Sequence, residues 1–152
     1  MPATNPVPEG FYTVTPHLTV DDAAAAIDFY KQAFEAEELI RMPAPGGDKV
    51  MHAEILIGDS RVLLNDEYPE AEVHGPKKIG GSPVTLHLYV ADVDAFVARA
   101  TRAGARVTMP VQDTFWGDRY GRIEDPFGHQ WAVATRVRDM SLNDMRDASR
   151  KP

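Results

Sequence analysis

The chain repeats itself. At an offset of 70, as from Thr15 to Thr85, His17 pairs with His87, Val20 with Val90 and Asp22 with Asp92. The same count pairs Glu54 with Glu124 and Gly58 with Gly128. A register held across most of two halves points to a duplicated module.

Local patterns give each half the same element order. Thr13 to Val20 alternates apolar and polar residues, as a half-buried strand does, and its interior Pro16 suits a strand edge. Asp21 or Asp22 can cap a helix reaching about Phe34. Strands are expected near Glu37–Met42, Val50–Ile57 and Arg61–Asn65, with glycine turns between them. Residues 66–83 read as a polar linking loop; Asp66, ending the fourth strand with Glu67 beside it, reads as a turn residue rather than a base. The order then restarts: a strand over Val84–Val90, a helix from Asp92 to about Ala103 stopped by Gly104, and strands at Arg106–Val111, Gly117–Glu124 and Gln130–Thr135. Two strand–helix–three-strand modules, at 12–66 and 84–136, therefore form one α+β domain over residues 1–136. Residues 1–11 read as an extended arm. In the tail, 137–152, Ser141 and Asp144 can cap a short helix.

Alternation assigns faces. Met51, Ala53, Ile55 and Ile57 oppose His52 and Glu54; Val84, Leu86, Leu88 and Val90 oppose Thr85, His87 and Tyr89; Trp131 and Val133 oppose Gln130, Ala132 and Ala134. A sheet with one core face and one open face gives this pattern. Thr15, His17, His52, Glu54, Thr85, His87, Tyr89, Arg122 and Glu124 collect on the open faces, a set of polar groups suited to a small ligand. Trp116 and Tyr120 can stack on a flat molecule, and Arg119 can pair with a carboxylate or phosphate. His52 and Glu54, two apart on one strand, are a weak acid–base candidate. Asp125, Pro126, Phe127, Gly128 and His129 read as a structural turn.

Composition narrows the function. The 152 residues carry a formal charge of −7 and no cysteine. An acidic chain repels a phosphate backbone, which argues against nucleic-acid binding. Without cysteine there is no thiolate nucleophile or sulfur-ligated metal, a usage that fits a reducing cytosol. No secretory leader and no membrane-length apolar run are evident, so a cytoplasmic protein off the membrane is expected. No phosphate-cradling glycine loop or nucleophilic serine motif is present.

VDDAAAAIDFYKQAFEAEEL (20–39) resembles the opening module of the vicinal oxygen chelate (glyoxalase/bleomycin-resistance/extradiol-dioxygenase) proteins. FWGDRYGRIEDPFGHQW (115–131) is similar to the closing signature of their PhnB-like branch, and MHAEILIGDSRVLLNDEYPE (51–70) and LHLYVADVDAFVARATRAGA (86–105) fit it too. The resemblance implies two tandem βαβββ modules forming a cup-shaped, partly open mixed-sheet barrel with helices outside, and frequently a homodimer. Its metal-using members hold a divalent ion, such as Zn, Ni, Mn or Fe, on the first and last strands of each module. Carried over, those positions are Thr15 and Val62, then Thr85 and Ala132. None is a usual ligand, so the family's metal site is expected to be absent.

The leading expectation is a small-molecule binding protein without a metal cofactor, with His17, His87, Tyr89, Trp116, Arg119, Tyr120, Arg122 and Glu124 as ligand-contacting residues. The rival is a divalent-metal-dependent lyase, isomerase or transferase-like enzyme with a displaced site at His17 and His87, completed by Asp66, Glu54 or Glu124. A third reading is metal-free catalysis by His52 or Glu54.

Overall fold

A computed structural model describes residues 1–152. The chain divides into two compact units, Met1–Ile79 and Gly80–Pro152. Each holds one open four-stranded mixed sheet and a helix packed on one of its faces.

In the first unit the elements are β1 (His17–Val20), α1 (Ala23–Phe34), β2 (Glu37–Pro43), β3 (Val50–Ile57), β4 (Ser60–Asp66) and the single-turn α2 (Pro76–Ile79). The sheet order is β1-β4-β3-β2, with β1 parallel to β4 and the other pairs antiparallel. The second unit repeats this with β5 (Thr85–Tyr89), α3 (Val93–Ala103), β6 (Arg106–Asp113), β7 (Asp118–Glu124) and β8 (Gln130–Arg136), in the order β5-β8-β7-β6. The tail carries α4 (Leu142–Ser149), opened by a capping box between Ser141 and Asp144.

Asp22 and Asp92 cap the two main helices, each accepting from a backbone N–H three residues on (Ala25, Ala95) at 3.0 Å. Helix α1 buries Ile27, Tyr30 and Phe34 against Leu18, Ala53, Ile55, Val62 and Leu64. Helix α3 buries Val93, Phe96 and Val97 against a sheet face carrying Ile123, Trp131 and Val133. Removing one such side chain costs about 2–5 kcal/mol.

Each helix start is also tied to the far end of its sheet. Asp66, only 6% exposed, accepts from the N–H of Ala23 at 2.8 Å and of Val50 at 2.6 Å. At the matching place Thr135 accepts from the N–H of Val93 at 2.9 Å and donates to the carbonyl of Val90 at 2.8 Å. Asp66 is therefore a buried staple rather than a surface turn residue, and its carboxylate faces the helix.

Several expected details shift. Strand β1 is short: Pro16 has no N–H to give, and regular pairing begins at His17, so Thr15 precedes the strand and Val14 is exposed. Val84 likewise stands outside β5 and is exposed. A register irregularity between Met42 and Pro43 turns Val50 inward and leaves Met51 exposed. The linking segment holds a short 3-10 turn at Pro69–Ala71 as well as α2.

The repeat is real but its offset drifts. His17 and His87 are equivalent at 70, since His17 pairs with Leu63 and His87 with Ala132. Leu63 and Ala132 are 69 apart, and their β3 and β7 partners, Glu54 and Arg122, are 68 apart. Glu54 is thus the structural counterpart of Arg122, and Glu124 that of Leu56. The pairing of Glu54 with Glu124 and of Gly58 with Gly128 was a coincidence of spacing. Helix α3 is one residue shorter than α1, and a tight Gly58–Asp59 turn joins β3 to β4 where five residues, 125–129, join β7 to β8.

Candidate functional site

Strand pairing makes each open face a grid. On the first sheet one row reads His17, Leu63, Glu54, Ile40 across β1, β4, β3 and β2. His17 Nε2 lies 2.5 Å from Asn65 Oδ1. The Asn65 amide nitrogen donates to the carbonyl of Asp66 at 2.8 Å, so Oδ1 is the acceptor and His17 presents Nε2–H to it. The His17 and His52 rings stand edge to face, 6.1 Å apart. His52 Nε2 reaches Glu54 Oε1 at 3.3 Å, and Arg61 donates to Glu54 Oε2 at 3.0 Å. The arm held as Gly10 and Phe11 braces that arginine, with the guanidinium 4.8 Å from the Phe11 ring centre. Gly10 sits at φ 84°, a backbone conformation that favours glycine, and a Cβ there would meet the Arg61 guanidinium at 2.8 Å and push that flexible side chain aside. The Glu54 charge is therefore already neutralised.

On the second sheet the matching row reads His87, Ala132, Arg122, Met109, and the next reads Tyr89, Ala134, Tyr120, Gln112. The two alanines on β8 are 1% and 0% exposed, covered by larger neighbours on the flanking strands. His87 lies 4.7 Å from Tyr89 and 6.0 Å from Tyr120, ring centre to ring centre. Tyr120 in turn lies 5.8 Å from Trp116. Arg122 Nη2 donates to Thr85 Oγ1, reaching over β8 to β5.

Asp118 anchors this aromatic run. Its residue is 1% exposed, and its Oδ2 accepts from the Tyr89 hydroxyl at 2.8 Å and the Trp116 indole at 3.1 Å. The hydrogen bond to Asp118 holds the Tyr89 hydroxyl's pKa above the usual tyrosine range, and burial adds to the effect. Sequence reasoning passed over Asp118, although it shares strand parity with Tyr120, Arg122 and Glu124. Glu124 is engaged by Arg106 at 2.8 Å and Gln130 at 2.7 Å. The Arg106 bond holds its carboxyl below the usual range, against the opposing effect of burial.

Two expected contacts fall elsewhere. Arg119 projects from the opposite face of β7 and pairs with Asp94 on α3 at 2.7 Å and with Asp113 at 3.2 Å. Both carboxylates push its pKa further up. It is spoken for, and the alternation along β7 separates it from Tyr120 and Arg122. Val62 is a core residue, 4% exposed; the open-face residue equivalent to Ala132 is Leu63. The turn after β7 is structural as expected: Asp125, 3% exposed, accepts from the N–H of Phe127 and His129 and from the Trp131 indole.

The residues at the family's ligand positions do not fit a metal. Threonine precedes or opens the first strands, and Leu63 and Ala132 offer no donor on the last ones. In neither unit do three or more His, Asp or Glu side chains gather as a ligand group. Asp66 is turned to the core, Glu54 is held by Arg61, and Glu124 by Arg106.

The sequence model of the Glyoxalase/Bleomycin resistance protein/Dioxygenase superfamily matches residues 12–133, and the chain belongs to that superfamily. An uncharacterized protein of Mycobacterium tuberculosis is 48% identical over 138 residues, covering 89% of this chain and 81% of that protein. Among solved structures, a gene product of Arabidopsis thaliana is 30% identical with a TM-score of 0.63, covering 82% of this chain and 98% of its own. TioX from a Micromonospora species is 27% identical with a TM-score of 0.62, covering 86% and 100%. No helix is long and apolar enough to cross a membrane.

Proposed function

We propose that this protein binds a small organic molecule without a metal at the superfamily's ligand positions, and that it belongs to the PhnB-like branch. The observation that carries the binding reading is the pair of equivalent places Leu63 and Ala132. Each lies beside a histidine on the open face, and neither has a side chain that can coordinate. What remains on these faces is stacking and hydrogen-bonding surface: the His87, Tyr89, Tyr120 and Trp116 rings, and the His17–Asn65 pair. The branch assignment rests on the Phe115–Trp116–Gly117 and Asp125–Pro126–Phe127–Gly128–His129 words. A cytoplasmic homodimer is the setting in which we place this function.

The test is a thermal-shift screen of aromatic and heterocyclic small molecules, run with and without a chelator. Binding that raises the melting temperature equally in both conditions supports the reading. Binding that disappears with the chelator sinks it and favours a metal-dependent lyase, isomerase or transferase. A second reading has one observation in its favour, the His52–Glu54 contact: metal-free proton transfer with His52 as base. It predicts turnover of a bound ligand that His52→Gln abolishes while binding persists.

A further inference from the structure

We infer that the open face of the second sheet is a binding site for a planar aromatic carboxylate, with Arg122 and His87 taking the acid group and Tyr120 and Trp116 the ring. This rests on the small-molecule reading above and names the ligand's chemical class.

The argument starts from unspent hydrogen-bonding capacity. Of the other arginines on the two open faces, Arg61 is spent on Glu54 and Arg106 on Glu124, and Arg136, opposite Asp118, lies 3.9 Å from the Asp139 carboxylate. Arg122 is different: its one bond goes to the neutral hydroxyl of Thr85, through Nη2 alone. A guanidinium has five donors in a fixed planar fork, so most of this one remains to be met. That fork matches a carboxylate edge to edge. The His87 imidazole has ring neighbours and no hydrogen-bond partner.

The grid then sets where the acid and the ring go. His87 and Arg122 flank Ala132 in one row, two strand spacings apart, or about 9.6 Å between backbones. Ala132 is 1% exposed and Arg122 already spans it to reach Thr85, so the acid group sits above that layer, against the His87 ring and the remaining donors of the guanidinium. The adjoining row carries Tyr89 and Tyr120, displaced about 6.6–6.8 Å along the strands. An aromatic ring attached to the acid therefore falls on the Tyr120 and Trp116 surface. The Trp116 ring does not have to be ordered by the ligand. Asp118 already pins Trp116 and Tyr89 from below, which lowers the entropic cost of binding.

The first sheet supplies an internal contrast. At the place of Arg122 it has Glu54, already paired with Arg61 and His52. The same row with the charge reversed and cancelled has nothing to offer an anion. The overall charge of −7 makes an uncompensated guanidinium in the middle of a face more telling still.

The test is calorimetric titration of 1-naphthoate and its neutral amide, 1-naphthamide, into the full chain, with Trp116 followed through its indole N–H resonance. The acid is expected to bind at least about tenfold more tightly than the amide, as a charge-assisted bond requires. Arg122→Met should bring the two probes within about twofold by removing that bond, and Arg122→Lys should retain part of the preference. Arg102→Met, which removes a positive charge from the exposed face of α3, should leave the preference intact. Native-like spectra of each variant exclude misfolding. Equal binding of acid and amide, a preference that survives Arg122→Met, or no binding of either probe would overturn the assignment. Binding of the amide alone would do so while leaving the small-molecule reading standing. Loss of both probes on adding a chelator would remove that reading itself.

Discussion

On the first sheet Glu54 stands between Leu63 and Ile40; on the second, the same place in the ladder holds Arg122, between Ala132 and Met109. His52 corresponds in the same way to Tyr120, and Asp66 to Thr135. The histidines of β1 and β5 and the helix caps Asp22 and Asp92 are shared. What the two modules keep is the frame: cap, core face and the staple between helix and sheet. What they let diverge is the open face: a self-neutralised polar cluster on the first sheet, and an aromatic row with the Arg122 cation on the second. The two modules share the parts that build the fold and differ on the face for which we propose binding.

The staples offer the largest expected break. Asp66→Ala leaves two buried N–H groups unpaired and should cost about 3 kcal/mol in urea unfolding. Its counterpart Thr135→Val gives up two neutral bonds and should cost about half as much. Equal costs would mean that the carboxylate confers nothing beyond shape. Next comes Asp118→Ala, which frees the Tyr89 hydroxyl and the Trp116 indole. A loss of about 1.5–3 kcal/mol is expected, with a shift of the Trp116 indole resonance.

Helix ends give a smaller, reciprocal test. Helix α1 ends on Glu35 at φ 54°, and α3 ends on Gly104 at φ 124°. Only the second uses the residue that such a backbone favours. Glu35→Gly should stabilise by about 0.5–1 kcal/mol and Gly104→Ala should destabilise by about as much or more, read from melting curves. The smallest effect concerns acid. The folded-state pKa of Glu124 is depressed, so the stability it lends is full above the ordinary glutamate range and fades as pH falls through the lowered value. A carboxylate NMR titration should find it below that range, and Arg106→Ala should move it back up.

Much of the frame could be read from residues alone. The caps, the helical runs and the alternation on β3, β7 and β8 each follow from a period or a terminus signal, and they agree with one another. Faces were legible wherever alternation ran unbroken. They failed at irregularities: Met51 beside a register shift, and Thr15 before a proline. The equivalence of Glu54 and Arg122 could not be counted along one offset, because a shorter helix and a longer hairpin loop change the register without changing the pattern. Val62 was placed on the ligand face by the same miscount. Arg119 illustrates a different limit. Its parity sets it apart from Tyr120, but its partner Asp94 lies 25 residues away, and only the fold brings them together. Asp118 was legible by parity, yet an acidic residue at a strand start reads as solvated until Tyr89 and Trp116 are seen to close over it.

Binding without a metal at the superfamily's ligand positions is the central claim, and direct metal stoichiometry tests it best. Protein purified without an affinity tag should contain no stoichiometric divalent metal. Titration with Mn²⁺, Ni²⁺ or Zn²⁺ should leave its melting temperature unchanged, in wild type and in His17→Ala/His87→Ala alike. One tightly held metal per chain, lost in the double variant, would contradict the account and make the two histidines ligands of a displaced metal site.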